Sequence, residues 1–403
     1  MVSVVVTLSL GEGIGNYHGS SGNAQTEWSR IQASTQASAH ESHPQAPIGR
    51  NVLFLLEDDG SMDFGLYGNK AIHTPNVDRL GASGTVFTSA YTHVSSCSPS
   101  RAAMLSGLPS HQNGMYGLQH SVQHFSSFDH VISMANALNN AGYATGIIGK
   151  YHVWPVTDFN FTWGNNPDGP GGCQTGLSLT CPNTDYNLVT RNITYIADQA
   201  RRFVEYAEQQ GKPWFLYVGF GDSHRCGGSV GEFCQFYGYD NVTQRSTIPD
   251  WHPIFYRPED VVVPYWIQDT PAARGDLAGM YTAKNRLDQG VGLLLELVWN
   301  GGERQTNTMI VYFADNGAPF AAGKTNFYEP GSVEPLIIHA PGMAKPGHRT
   351  SALVTSLDLF PTILDWLHIP LPSYVLNGVH IKYTGRSLLK DLVTQSAEEG
   401  GLH

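Results

Sequence analysis

The chain predicts an α/β fold: a mainly parallel sheet with helices on both faces. Three observations carry that prediction. Four short apolar runs have the unbroken look of strands buried on both faces of a parallel sheet. Each run hands over, at the same end, to acids, histidines or cations. Segments of helical period fill the gaps between the runs. Composition agrees, because 403 residues that are 41% hydrophobic and 14% charged suffice for one large domain with a sizeable core and an appendage.

Residues 1–48 stand apart. The stretch 2–10 is apolar but short, follows no Lys or Arg, and runs into Gly-Glu-Gly, so it makes a poor signal peptide. Gly, Ser, Gln, Ala and His then dominate to Pro47 without periodicity, and 1–48 is expected to be a disordered or atypical leader. A catalytic domain is expected over 49–370, and 371–403 is weakly patterned.

The first apolar run, 52–56, ends in Glu57-Asp58-Asp59-Gly60. The second, 143–148, leads to Gly149-Lys150-Tyr151-His152. The third, 214–218, is followed by Asp222-Ser223-His224-Arg225, and the fourth, 308–313, by Asp315-Asn316-Gly317. Open α/β sheets bind ligands beyond the carboxyl ends of their strands, so the four ends describe one site. Helical patterns cover 131–141, stopping before Gly142, and 195–210, stopping before Gly211. The longest covers 276–298, between Gly275 and Gly301.

Asp58, Asp59, Asp315 and the amide oxygen of Asn316 are hard oxygen donors, a set suited to Ca²⁺ or Mg²⁺ rather than zinc or copper. Paired acids also cap helices and turns, so the residues alone leave both readings open. The stretch Ser95-Ser-Cys-Ser-Pro-Ser-Arg101, running into Ala102-Ala-Met-Leu105 and Gly107, places Cys97 at or just before a helix N-terminus. A group held there faces unpaired N–H donors that favour anions. A lone cysteine is more often a buried structural thiol.

No stretch approaches eighteen consecutive apolar residues, and no membrane span is expected. A formal charge of −11 excludes a general nucleic-acid binder, which needs a basic face. A polyanionic substrate would have to be met by a local cluster of cations.

The C-x-P-S-R pattern at Cys97, with its small-residue helix and Leu-Ser-Gly, resembles the catalytic cysteine motif of the sulfatase family. The resemblance covers roughly 51–389. Blocks such as His111-Gln-Asn-Gly-Met-Tyr-Gly117, Gly146-Ile-Ile-Gly-Lys150, Ile248-Pro-Asp-Trp251, Thr270-Pro-Ala-Ala-Arg274 and Thr384-Gly-Arg-Ser-Leu-Leu389 are most similar to its sulfamidase (heparan N-sulfatase) branch. It implies an alkaline-phosphatase-like sheet and conversion of Cys97 to formylglycine by the formylglycine-generating enzyme. It implies calcium, with magnesium the second choice, held by Asp58, Asp59, Cys97, Asp315 and Asn316. By the same resemblance Arg101, Lys150, His152, His224 and Lys324 orient the nucleophile, bind sulfate and move protons. Asp222, Arg225 and Lys324 would contact a terminal glucosamine. The implied reaction releases sulfate from N-sulfoglucosamine at the non-reducing end of heparan sulfate, in a lysosomal or secretory setting, with a homodimer as one assembly. An O-sulfatase of another sulfated glycan, or an inactive sulfatase-like chain, is the alternative. A phosphatase or phosphonate hydrolase would be favoured by Ser or Thr at position 97, which is not what stands there.

Departures from the family pattern are Gly221 and Ser223 where the family tends to have His and Pro, and Lys324 where sulfamidases tend to have Arg. Sulfamidases also continue into a C-terminal antiparallel subdomain, of which 371–403 is expected to be a truncated start. With Cys97 set aside, the other four cysteines fall as Cys173 with Cys181 and Cys226 with Cys234, each pair closing a short loop suited to an oxidising compartment. Sequons at Asn160, Asn192 and Asn241 point the same way.

Overall fold

A computed structural model describes residues 49–226, 232–343 and 345–392. The leader expected over 1–48 and the last residues of the C-terminal region, from 393, lie outside the described residues. A nine-stranded sheet organises the rest. Its strands are β1 (Asn51–Glu57), β2 (Thr85–Tyr91), β3 (Ala144–Lys150), β4 (Thr175–Gly176), β5 (Trp214–Gly219), β6 (Thr308–Ala314), β7 (Val333–His339), β8 (His348–Thr350) and β9 (Val354–Thr355). The order is β8-β2-β7-β6-β1-β5-β3-β4, with β9 alongside the far end of β2. Only β7 runs against its neighbours. β1 lies between β6 and β5, in register from Asn51 opposite Thr308 to Glu57 opposite Ala314. That central place explains why its sequence does not alternate, since both faces are covered.

The helices that cover them are α1 (Pro75–Ser83), α2 (Cys97–Ser106), α3 (Met134–Asn140), α4 (Tyr186–Arg191), α5 (Ile193–Gln209), α6 (Pro271–Trp299) and α7 (Leu359–Trp366). On one face Val52, Phe54 and Leu56 pack with Met104 of α2, Leu138 of α3 and Phe360 of α7. On the other, Leu53 and Leu55 pack with Phe203 of α5 and Leu294 of α6. The predicted doubly covered sheet is the observed one.

The strands outside the four predicted runs, and the helix starts, differ from the sequence reading; α3 begins at Met134 rather than at 131, where the Ser133 side chain caps it by accepting from the Asn136 N–H. β2 and β7 are antiparallel to each other and mix polar residues into their runs, β7 carrying Glu334 and Pro335. Helix α6 begins five residues before Asp276, because Thr270 caps it, accepting from the N–H of Ala273 at 3.1 Å, and Pro271 opens its first turn. Gly275 lies inside the helix rather than before it. Beyond Leu371 there is a short hairpin of Val375–Leu376 with Val379–His380. Leu388, Leu389 and Leu392 are buried in the same core as α7, and the Leu388 N–H donates to the Thr362 hydroxyl at 2.9 Å.

The consequence for function is geometric. β1, β3, β5 and β6 are parallel, so their carboxyl ends open on one edge, and β2 runs the same way to deliver α2 there.

Candidate active site

Cys97 is the first residue of α2 and is 1% exposed. Ser96 before it is extended, and the Ser100 N–H closes the first turn on its carbonyl at 3.0 Å. The thiol lies between carboxylates and an ammonium. It donates at 3.6 Å to Asp58 and at 3.8 Å to Asp59, and Lys324 Nζ approaches the sulfur to 3.2 Å. Burial pushes the thiol up to about 12, against the pull of Lys150 and Lys324. An unmodified Cys97 therefore stays protonated near neutrality and is a poor nucleophile as it stands.

Charges around it alternate. Lys150 Nζ bridges both Asp58 oxygens at 2.7 Å, and Lys324 Nζ donates to Asp59 Oδ1 at 2.6 Å. Arg101, one turn along α2 from Cys97, donates through Nε to Asp315 Oδ2 at 2.8 Å and through Nη1 to the carbonyl of Lys150 at 2.9 Å. Burial pushes the Asp58 carboxyl upward, but Lys150, with His224, Arg101 and Lys324 beyond, holds it well below the usual carboxylate range. Behind this layer Lys284 of α6 pairs with Glu57 at 3.0 Å and donates to the Ser61 carbonyl and hydroxyl. That contact braces both ends of the Asp58-Asp59 turn.

Several of these groups suit a hard cation. Asp58, Asp59, Cys97 and His224 each bring a ligand atom within 4.8 Å of the others. Asp59 Oδ2 and Asn316 Oδ1 are buried acceptors without a hydrogen-bond partner among the described residues, a state that folded proteins rarely leave uncompensated. Their oxygen chemistry fits calcium or magnesium. Asp315 belongs to the same network, yet its oxygens are engaged, Oδ1 by the Asp59 N–H at 3.0 Å and Oδ2 by Arg101.

Above Cys97 opens a cavity of about 510 Å³, which Lys150, His152, His224, Arg225 and Lys324 also line. His224 Nδ1 lies 2.6 Å from the Arg225 carbonyl, which can only accept, so Nδ1 carries a proton. Its Nε2 lies 3.6 Å from Asp59 Oδ2. Arg225 donates to Asp276 at 2.5 Å, and its guanidinium lies against the rings of Phe233 and Phe320, which stack on each other. Asp222, expected among the sugar contacts, is turned away from the cavity. Its oxygens are held by Arg191 at 3.0 Å and by Arg286 at 2.9 Å, and it is 1% exposed.

Sequence reasoning did not single out His120, Tyr186 or Arg191, all of which line the cavity. His120 lies three residues past the His111–Gly117 block and Arg191 immediately before the Asn192 sequon, and neither has a periodic signal of its own. The disulfides are Cys173 with Cys181 and Cys226 with Cys234, and the second borders the cavity. Asn160 and Asn241 are exposed, while Asn192 is half-buried and caps α5, accepting from the Tyr195 N–H at 3.0 Å.

The sulfatase family model matches residues 50–369. The chain belongs to the sulfatase family. Among curated relatives this sulfatase is 47% identical over 348 residues to human N-sulphoglucosamine sulphohydrolase, covering 85% of this chain and 66% of the relative. It is 28% identical over 375 residues to human arylsulfatase A, with 81% and 66% covered. The chain thus spans just under two thirds of the length of these relatives. Among solved structures, a sulfatase-like protein from Bacteroides fragilis superposes with a TM-score of 0.61 at 18% identity, covering 88% of this chain and 80% of its own. The phosphonate monoester hydrolase of Agrobacterium radiobacter does so at 0.58 and 18%, covering 87% and 78%. Such likeness shows the fold alone, and a fold shared with a phosphonate hydrolase does not choose the bond that is broken.

Proposed function

We propose that this sulfatase releases sulfate from N-sulfoglucosamine at the non-reducing end of heparan sulfate. The observation that carries the reading is the 47% identity to an enzyme named for that reaction, in a chain that keeps Cys97 at a buried helix N-terminus between Asp58, Asp59, Lys150 and Lys324. Conversion of Cys97 to formylglycine by the formylglycine-generating enzyme would supply the attacking oxygen and, through a second hydroxyl, a way for sulfate to leave. Asp58, Asp59, Asn316 and residue 97, with Asp315 beside them, would hold a divalent ion, calcium by preference, which polarises a sulfate oxygen when bound.

The remaining steps fall to the chain's own side chains. Lys150 and Lys324 supply positive charge at the cavity floor, where a low dielectric strengthens their hold on sulfate oxygens. Arg101, fixed by Asp315, keeps the start of α2 oriented. The leaving group of an N-sulfate is a sugar nitrogen, which departs poorly unless it gains a proton. His224 Nε2 is the proposed donor, because Nδ1 is tied to a carbonyl and the ring lines the cavity. Arg225 and Lys324 are proposed to contact the sugar. The two short disulfides support a lysosomal or secretory setting.

The test is sulfate release from N-sulfated and 6-O-sulfated glucosamine, side by side. Preference for the N-sulfate, strongest in mildly acidic buffer, is expected, with His224→Ala losing about 100-fold or more in kcat. Preference for the O-sulfate, or unchanged N-desulfation by His224→Ala, would overturn the assignment.

A further inference from the structure

Two imidazoles meet at the wall of the cavity. His152 follows β3, is 2% exposed, and sits at φ +58 in the left-handed region, which a non-glycine residue keeps only when its surroundings hold it there. His120 reaches it from the loop after Ser110–Asn113. Its Nδ1 lies 2.6 Å from His152 Nε2, and the ring centroids are 4.6 Å apart. At that distance one nitrogen carries the proton and the other accepts it. His152 Nδ1 is buried and has no hydrogen-bond partner among the described residues. His120 is only partly buried, and its Nε2 makes no hydrogen bond among the described residues.

We propose that His120 is a proton-relay residue acting through His152, linking the buried Nδ1 of His152 to solvent; this rests on the sulfatase reading above. In the resting pair His152 Nε2–H donates to His120 Nδ1, and His120 carries its own proton on Nε2. His152 Nδ1 is then a free acceptor. When Nδ1 takes a proton from the reacting group, the Nε2 proton passes to His120 Nδ1, and the His120 Nε2 proton leaves to water. When Nδ1 later returns its proton, one proton enters from water at His120 Nε2 and the chain of transfers runs backwards, restoring both tautomers. One proton moves in each direction, and no ring ends either half-cycle holding two.

The surroundings favour that economy. His152 faces Lys150 and Arg101, with Asp58 as the opposing charge, and His120 faces Lys150, His224, Lys324 and His124. Burial first, and these cations second, hold both imidazoles below their ordinary range, so a doubly protonated ring is disfavoured at either position. A direct imidazole-to-imidazole bond lets the buried ring exchange its proton without one.

The experiment uses the full chain with ¹⁵N-labelled histidine, as wild type, His120→Ala and His120→Gln, read by NMR and by sulfate release with and without added imidazole. His152 should show the Nε2–H tautomer with a strongly deshielded shared proton, lost in His120→Ala. That variant should lose roughly 10–100-fold in kcat with KM little changed, and free imidazole should restore part of the loss. His120→Gln can still hold the His152 ring by one hydrogen bond but cannot pass a proton, so it should stay slow. The proposal is overturned if the His152 signals are unchanged in His120→Ala, if imidazole restores nothing, or if His120→Gln recovers the wild-type rate. Should the wild type release no sulfate from any sulfated sugar, the functional reading fails, while the NMR result still decides whether the two rings share a proton.

Discussion

At position 97 the chain holds a thiol that its surroundings keep uncharged, and this sets the first expectation. Cys97→Ala should abolish sulfate release while leaving the unfolding midpoint within a few degrees, since a small side chain at a helix start loses little packing. Cys97→Ser should also fail to turn over but should accumulate sulfate covalently, which intact-protein mass spectrometry would reveal; near-normal activity in either variant would remove residue 97 from the chemistry. Asp59→Asn should weaken calcium binding at least about tenfold by calorimetry on the metal alone, because it removes charge beside an unpartnered buried oxygen. Asp58, Asp59, Asp315 and Asn316 are legible in the sequence because each lies within three residues of the end of an apolar run. His120 and Arg191 are not, because their contacts close across loops. The direction in which Asp222 turns is illegible for a related reason: a residue's identity does not say which way it faces, and the guanidiniums that hold it lie 31 and 64 residues away.

Elements follow the same logic at longer range. The four parallel strands that bear the site are readable as apolar runs, whereas β2 and β7, near the other side of the sheet, carry polar residues or proline and give no such signal. The end of β3 is where element and site meet. Gly149 has φ +91 and pairs in register with Gly219, and a Cβ there would lie 2.0 Å from the Gly219 carbonyl oxygen. Gly149→Ala should therefore cost on the order of 3 kcal/mol and displace Lys150 and His152, lowering both stability and turnover. Gly142 is the matched control, with φ +87 but nothing within 4 Å of an added methyl group, so Gly142→Ala should cost about 1 kcal/mol and spare activity. Urea unfolding of the two variants compares close approach with backbone strain alone, and equal costs would show that the approach of β5 to β3 is not what demands glycine.

Across the whole molecule, charge and the proposed substrate are in tension. At neutral pH the formal charge is −11, which repels a sulfated polysaccharide at long range even though the cavity floor carries Lys150 and Lys324. The chain also contains 17 histidines, and imidazole titrates across the interval between cytosolic and lysosomal pH. Burial holds His93, His120, His152 and His339 below their ordinary range, so these four contribute least to the change. The 17 imidazoles outnumber the net negative charge of 11, so acidification through the imidazole range carries the long-range field from negative toward positive. Salt should then act in opposite directions at the two ends of that interval. Near pH 7, raising salt from about 10 to 150 mM should increase kcat/KM on long heparan sulfate fragments by relieving repulsion, and near pH 5 the same change should lower it by screening attraction. N-sulfoglucosamine itself, with a single charge and only short-range contacts, should respond weakly at both pH values. A salt effect of the same sign at pH 5 and pH 7 would show that the local lysines, and not the histidine-dependent charge of the whole protein, govern the approach of the polymer.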